Sequence, residues 1–308
     1  MTTAHGRLNR SAALASIAAA TLLLAIKGWA AWSTGSTAML GSLADTTLDL
    51  IASVATLIGV WVAAKPADDK HRFGHGKAEA IAALFQIVLI SISALGIASR
   101  ALEQFLAGAR VQAAGAGIGA SLAAILVTLA LLMWQRHVIA RTGSLAVSTD
   151  NVHYQSDLLL NLAVIAALAL DRFAGLSGAD PLFGLGIAAW LGWGAWTASE
   201  QVLDQLMDHE WPEAKKRRFL EVLARHPDIT GVHDLRTRTS GDKDFVQFHI
   251  WVDGDMTIRE AHRVMDDLEA RLARDFPETE ILIHTDPEGH VDAAGTMPED
   301  VLLPVRPT

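Results

Sequence analysis

The amino-acid sequence predicts a membrane protein with two parts, a bundle of six membrane-spanning helices and a C-terminal α+β domain. Hydrophobic residues make up 51% of the 308 residues and charged residues only 19%, below the quarter typical of soluble domains. Six apolar segments approach or exceed the roughly 20 residues that a bilayer span needs. The net charge of −9 belongs to the last third of the chain, because residues 1–206 hold 12 acidic and 12 basic residues, whereas residues 207–308 hold 22 and 13.

The six predicted spans are separated by segments that carry turn residues or charge. The first span is too long for the apolar region of a signal peptide, so we expect it to be retained. Lysine and arginine concentrate on one side of the predicted membrane, and the positive-inside rule then places both termini in the cytoplasm. The predicted spans are residues 9–33, 37–64, 78–106, 114–136, 148–172 and 180–206.

The last hundred residues predict a helix, two strands, a second helix and a third strand, with both helices on one face of the sheet. The segment DFVQFHIWV alternates strictly, which places Val246, Phe248, Ile250 and Val252 on a core face and His249 on the opposite face. Thr257 is the expected N-cap of the second helix. We expect a transmembrane domain over residues 1–208, a cytosolic domain over 209–290 and a flexible tail over 291–308.

Several functional classes are disfavoured by composition. The chain has no cysteine, which excludes disulfides and thiolate metal sites. An acidic cytosolic domain repels nucleic acid. No GxxxxGK[ST] loop is present, so we expect no nucleotide to drive the protein.

Two pairs of ionisable residues lie inside predicted spans. Asp45 and Asp49 in span two, and His153 and Asp157 in span five, each have i, i+4 spacing, so each pair shares one helix face. A central Asp costs roughly 2.5–3.5 kcal/mol on insertion scales, which makes a purely structural role expensive. A divalent cation held between the two faces would resolve this charge problem. The sequence therefore predicts an intramembrane metal site of these four residues.

The donor types suit a transition metal. Imidazole nitrogen with carboxylate oxygens fits tetrahedral Zn²⁺, although Fe²⁺, Co²⁺ and Cd²⁺ accept the same donors. Because an unperturbed imidazole titrates near pH 6.5, His153 is the first candidate for exchanging protons for metal. We expect Zn²⁺/H⁺ exchange, with the site exposed alternately to the two sides of the membrane.

Two further metal clusters are predicted outside the spans. Asp68, His71 and His75 lie in the loop between spans two and three. In the C-terminal domain, histidines recur on predicted elements, and period two places His284 and Asp286 on one strand face. The outward sheet face is also suited to a symmetric dimer. The predicted C-terminal ligands are His233, His249, His262, His284 and Asp286.

These residues and motifs resemble the cation diffusion facilitator family. The resemblance covers nearly the whole chain and rests on Asp45-x-x-x-Asp49, on His153-x-x-x-Asp157 and on the loop ligands followed by GKAE. It implies a homodimeric Zn²⁺/H⁺ antiporter of the bacterial inner membrane, with a ferredoxin-like cytosolic domain. It implies a transport site of the four intramembrane residues, a metal site in the loop, and a binuclear site near the dimer interface. It also implies a charge pair between Lys77 and Asp208 at the membrane–cytosol junction.

Three functional readings remain open from the sequence. The first is a secondary transporter, not an enzyme, that exports Zn²⁺ or a related cation such as Fe²⁺, Cd²⁺ or Mn²⁺. The second is an intramembrane zinc hydrolase, which would need an open coordination position and a nearby general-base Glu, but spans two and five contain no Glu. The third is a metal sensor that binds cations in its C-terminal domain without transporting them.

Overall fold

The computed structural model describes residues 4–34, 37–107, 117–174 and 179–290. The chain divides into two compact units, Met1–Leu203 and Asp204–Thr308. The tail predicted to be flexible, residues 291–308, lies outside the described residues, as does the predicted start of span four at residue 114.

Six long helices form the first unit, as predicted. Within the described residues, the first four are long and apolar enough to cross a membrane. The helices are α1 (Ala4–Thr34), α2 (Thr37–Ala63), α3 (Ala78–Ala107), α4 (Gly117–Thr142), α5 (Leu145–Ala174) and α6 (Ala179–Leu206).

The break predicted between spans four and five is wrong over most of its length. Helix α4 continues through the charged segment after residue 136 and ends only at Thr142, and α5 begins at Leu145. Arg136 and Arg141 did not stop the helix because arginine is a good helix former. Gly143 is the residue that turns the chain, with a φ of 63° that favours glycine. Two residues therefore connect α4 to α5.

Small residues let the helices of this unit approach each other closely. Helix α1 packs against α2 and α4, α2 against α3, and α5 against both α3 and α4. A Cβ at Gly59 of α2 would overlap the Cβ of Ala82 on α3, so only glycine fits there. Such contacts are typical of membrane helices, whose association depends on close packing rather than on a hydrophobic force.

The second unit contains the predicted order of helix, strand, strand, helix and strand. Strands β1 and β2 are antiparallel, and β3 joins the other edge of β2 in parallel. The elements are α7 (Glu213–Leu223), β1 (Gly231–Ser240), β2 (Lys243–Val252), α8 (Ile258–Asp275) and β3 (Thr279–Pro287).

One face of this sheet forms the core with both helices, as the alternation of β2 predicts. Phe219 of α7 and Leu268 of α8 are fully buried against it, and each such side chain contributes roughly 1.5–3 kcal/mol to folding. Thr257 caps α8 in a capping box with Glu260, which confirms the predicted N-cap. The predicted core residues of β2, Val246, Phe248, Ile250 and Val252, all belong to this cluster.

Candidate metal centres

Three of the four predicted intramembrane ligands meet between α2 and α5. The Nε2 atom of His153 lies 2.8 Å from Oδ1 of Asp49 and 3.9 Å from Oδ2 of Asp157. One ligand atom from each residue lies within 4.8 Å of the others, close enough to hold one metal ion. The side chains of His153 and Asp49 are only 9% and 13% exposed. Helix geometry explains the meeting, because the i, i+4 spacing turns His153 and Asp157 to one face of α5.

Asp45 is not part of this group in the structure. It lies one turn from Asp49 on α2, and its side chain is exposed. The structure therefore gathers one imidazole and two carboxylates and leaves the predicted fourth ligand beside them.

The intramembrane site also has a basic neighbour that we did not predict. The Nζ of Lys27, on α1, donates to the hydroxyl of Thr46 at 2.7 Å, and Thr46 lies between Asp45 and Asp49 on α2. The positive charge of Lys27 interacts electrostatically with Asp157. The sequence did contain a signal for Lys27, because a lysine well inside an apolar span is uncommon and usually functional.

A second unpredicted group is a buried carboxylate one helical turn before His153. Asp150 is 1% exposed and accepts hydrogen bonds from three other helices. Next to His153, the hydroxyl of Tyr154 forms a 2.9 Å hydrogen bond with Ser53 of α2. The i, i+3 spacing from Asp150 to His153 was the signal that could have drawn attention to this carboxylate.

The three predicted loop ligands also come together. Oδ1 of Asp68 is 3.2 Å from Nδ1 of His71, and Oδ2 is 3.4 Å from Nε2 of His75. Gly74, with a φ of 81°, lets the chain turn between the two histidines, whose rings lie 4.4 Å apart. Ligand atoms of all three residues lie within 4.8 Å of one another, so the loop can hold a cation.

Backbone hydrogen bonds favour the ionised form of the Asp68 carboxylate. The backbone N–H groups of His71 and Lys70 donate to Oδ1 of Asp68 at 2.7 and 2.9 Å. These hydrogen bonds, that of His71 first, hold the pKa of Asp68 below its ordinary value.

In the second unit, three histidines form a row across the sheet. His233 of β1 pairs in register with His249 of β2, which pairs in turn with His284 of β3. Neighbouring rings lie 5.1 and 4.6 Å apart. The row occupies the face opposite the helices, where β2 alternation predicts His249 to lie.

The buried carboxylate of Asp286 contacts all three histidines of this row. Asp286 accepts a hydrogen bond of 2.9 Å from Nδ1 of His249 and lies 3.5 Å from Nε2 of His233, while its other oxygen is 3.2 Å from Nε2 of His284. The compact group of His233, His249 and Asp286 meets the distances for one metal ion. His284 contacts the other oxygen of Asp286 but is not part of this group, so the predicted binuclear site stays a prediction.

The remaining predicted residues lie apart from these clusters. His262 is on the first turns of α8, exposed, with its Nε2 4.0 Å from Asp266. Asp208 has a left-handed backbone with a φ of 59°, and its carboxylate is 3.6 Å from Arg238. The pairing of Lys77 with Asp208 stays a prediction.

Comparison with known proteins decides the family. Residues 13–207 match the model of the cation efflux transmembrane domain, and residues 211–288 match that of the cation efflux protein cytoplasmic domain. The chain belongs to the cation diffusion facilitator family. The predicted resemblance and the predicted fold class are thereby confirmed.

Curated relatives within this family cover nearly the whole chain. The chain is 39% identical over 294 residues to the cation-efflux pump FieF of Klebsiella pneumoniae, which spans 96% of this chain and 98% of the relative. It is 39% identical over 283 residues to FieF of Cronobacter sakazakii, with 92% and 94% covered. This cation diffusion facilitator is therefore a multi-pass cation efflux protein, in agreement with the prediction of a transporter rather than an enzyme.

Two solved structures each match over little more than a quarter of the chain. CzrB in its zinc form is 38% identical, covers 28% of this chain and 99% of its own, and has a TM-score of 0.26. The metal-bound C-terminal domain of the CzcD transporter from Thermotoga maritima is 27% identical, with 27% and 100% covered and a TM-score of 0.25.

Proposed function

We propose that this protein exports Zn²⁺ from the cytosol in exchange for protons, with the cluster of Asp49, His153 and Asp157 as the transport site. The observation that carries the proposal is the meeting of these three side chains, one buried and two partly buried, between two helices of the membrane domain. A buried cluster of two carboxylates and an imidazole is costly in a membrane unless it binds a cation.

The transported metal follows from the donor atoms. One imidazole nitrogen and two carboxylate oxygens suit Zn²⁺, and rotation of the Asp45 side chain, one turn away on α2, would supply the fourth ligand of a tetrahedral site. Fe²⁺, Cd²⁺ and Mn²⁺ are the alternatives of the same chemical type.

Proton coupling follows from the same atoms. Metal binds only deprotonated ligands, so loading releases protons and protonation releases metal. The imidazole titrates near neutral pH in its ordinary state, and a sequence without a nucleotide-binding loop leaves an ion gradient as the energy source. Alternating exposure of the site to the two sides then exchanges Zn²⁺ for H⁺.

The distribution of basic residues supports a membrane orientation for the protein, and its curated relatives support a cellular location. The excess of lysine and arginine beside the α2–α3 loop, the α4–α5 turn and α7 supports a cytoplasmic location of both termini and of the second unit. The curated relatives are bacterial cation-efflux pumps, which favours the inner membrane of a bacterium.

We assign a regulatory role to the cytosolic histidine row and a homodimeric state to the working protein. Metal on the row would neutralise acidic charge and let two cytosolic domains approach, favouring the transport-ready arrangement. His262, exposed on α8, would add a ligand to the cytosolic metal site, and Asp68, His71 and His75 would hold a separate ion in the loop. Lys77 and Asp208 would form an ion pair at the membrane–cytosol junction.

The test is metal flux through the full-length protein in proteoliposomes. We expect the Zn²⁺ flux of the wild-type protein to increase with an imposed pH gradient. Asp157→Asn should abolish this flux. Glu103→Gln, a matched change of an exposed carboxylate on α3, should retain it. Parallel assays with Fe²⁺, Cd²⁺ and Mn²⁺ rank the cations. Flux that ignores the pH gradient contradicts antiport. Normal metal resistance in cells that carry Asp157→Asn, together with its loss when the cytosolic histidines are replaced, would favour a sensor.

A further inference from the structure

The proposed transport mechanism does not use Asp150, although it is among the most buried charged residues that the structure describes. It lies on α5, and its side chain belongs to the same stripe of that helix as His153 and Asp157, three and seven residues later. A carboxylate at this depth needs several hydrogen bonds, because burying an uncompensated ionisable group is expensive.

The hydrogen bonds to Asp150 come from three helices. Ser16 of α1 donates its hydroxyl to Oδ2 at 2.6 Å, and Gln135 of α4 donates Nε2 to the same oxygen at 2.7 Å. Gln86 of α3 donates Nε2 to Oδ1 at 2.9 Å. Asp150 therefore links α5 by hydrogen bonds to α1, α3 and α4.

The partners of Asp150 are themselves connected. Nε2 of Gln135 also donates to Ser16 at 3.0 Å, and Oε1 of Gln135 accepts from Asn151 of α5 at 2.9 Å. Nε2 of Gln86 donates to Thr56 of α2 at 2.6 Å, which brings a fifth helix into the network. Networks of this kind fix side-chain and helix geometry more firmly than single hydrogen bonds do.

We propose that Asp150 is a positioning residue for the transport site, because its hydrogen bonds set the rotation of α5 that turns His153 and Asp157 towards Asp49. The residue does not touch the ion. Its effect is carried by the backbone of one helical turn, and a small rotation of α5 would move both metal ligands of that helix together. This inference rests on the proposed transport site.

The chain offers a matched pair of substitutions for the test. Ser16→Ala removes a hydroxyl that donates to the buried Asp150, and Ser144→Ala removes one that donates at 2.7 Å to the buried Glu79 of α3. Both changes delete one hydroxyl-to-carboxylate hydrogen bond, but only the first acts on the Asp150 network, because Ser144 lies in the connection between α4 and α5. The Asp150→Asn variant keeps the side-chain shape and disturbs all three incoming hydrogen bonds.

The readout is the KM and kcat of Zn²⁺ flux by the full-length protein in proteoliposomes, with thermal melting to verify folding. Loss of groups that orient metal ligands typically lowers affinity by about 10–100-fold. We expect Asp150→Asn to raise the KM by about tenfold or more, with a smaller change in kcat, and Ser16→Ala to raise it by about threefold. We expect Ser144→Ala to leave the KM at the wild-type value.

Each outcome bears on the inference. If Asp150→Asn fails to fold, the comparison of Ser16→Ala with Ser144→Ala decides the question alone. A wild-type KM in folded Asp150→Asn overturns the inference, as does an equal rise in both serine variants, which would indicate general loosening. Failure of the proposed function itself is distinguishable, since flux would then survive Asp157→Asn.

Discussion

The intramembrane cluster and the cytosolic histidine row use similar ligands but position them by different means. In the membrane, His153 and Asp157 share a face of α5 because they are four residues apart, and Asp49 is brought to them by helix packing. In the cytosolic unit, the row depends on strand register, which aligns His249 with a histidine on either side. A helix-built site changes when a helix rotates, whereas a site built across a hydrogen-bonded sheet moves as one body. The first geometry suits transport and the second suits sensing.

The largest effect is expected from removing the carboxylate on the second helix. Asp49→Ala deletes the group 2.8 Å from His153 and leaves both remaining ligands on α5 alone. We expect Zn²⁺ flux to fall by about 100-fold or more, on the scale of lost essential ligands, with metal binding by the cytosolic unit retained. Radiotracer flux and binding isotherms on the same preparation measure the two quantities. Equal losses in both would show that the regions do not work separately.

The reciprocal change is in the cytosolic row. Asp286→Asn weakens a group that contacts all three histidines of the row, so we expect cytosolic metal affinity to drop by about 10–100-fold. Zn²⁺ flux at saturating metal should persist, because the intramembrane ligands are intact. Isothermal titration of the purified protein and flux measurements separate the effects. Glu269→Gln, which changes an exposed carboxylate on α8, is the control.

A smaller effect of opposite sign is expected from Lys27. Lys27→Met removes a positive charge that interacts with Asp157, and that charge repels a divalent cation in the site. We expect the KM for Zn²⁺ to fall by about threefold, while Lys27→Arg keeps the charge and the wild-type KM. A rise in KM for Lys27→Met would indicate that the lysine acts through packing against Thr46 instead.

The smallest effect concerns the pH dependence of the loop cluster. Backbone hydrogen bonds lower the pKa of Asp68, so this carboxylate stays ionised as the pH falls below its ordinary value of about 3.9. Metal binds only deprotonated ligands, and Asp68 stays deprotonated over the physiological range, so its own titration does not set the pH at which loop metal is lost. Metal titrations of both proteins from pH 5 to 8 provide the test. We expect Asp68→Asn to bind loop metal more weakly than wild type, with the same pH midpoint for loss of the metal. We expect the Zn²⁺ flux of Asp68→Asn to differ from that of wild type by about twofold at most. A pH midpoint that differs between the two proteins would contradict this assignment.

The sequence predicted those candidate ligands that a short spacing places on one face of a helix or strand. Four-residue steps identify ligands that share a helix face, and alternation identifies His249 as facing away from the core. The row itself could not be predicted, because strand register is set by pairing between segments that are distant in the chain. The Asp150 network was missed for a related reason: its donors, Ser16, Gln86 and Gln135, come from three separate helices that only tertiary packing brings together. The exposure of Asp45 likewise depends on how α1 and α2 pack rather than on its own spacing.

The two-residue connection between α4 and α5 has a consequence for how the transporter can move. With only Gly143 and Ser144 between them, the adjoining ends of the two helices cannot separate by more than a few ångströms, given about 3.3–3.6 Å of reach per residue. We expect α5 to swing about this joint as a lever, with little displacement near Leu145 and growing displacement towards the other end of the helix. His153 and Asp157, about two and three turns along α5, would then travel only a modest arc.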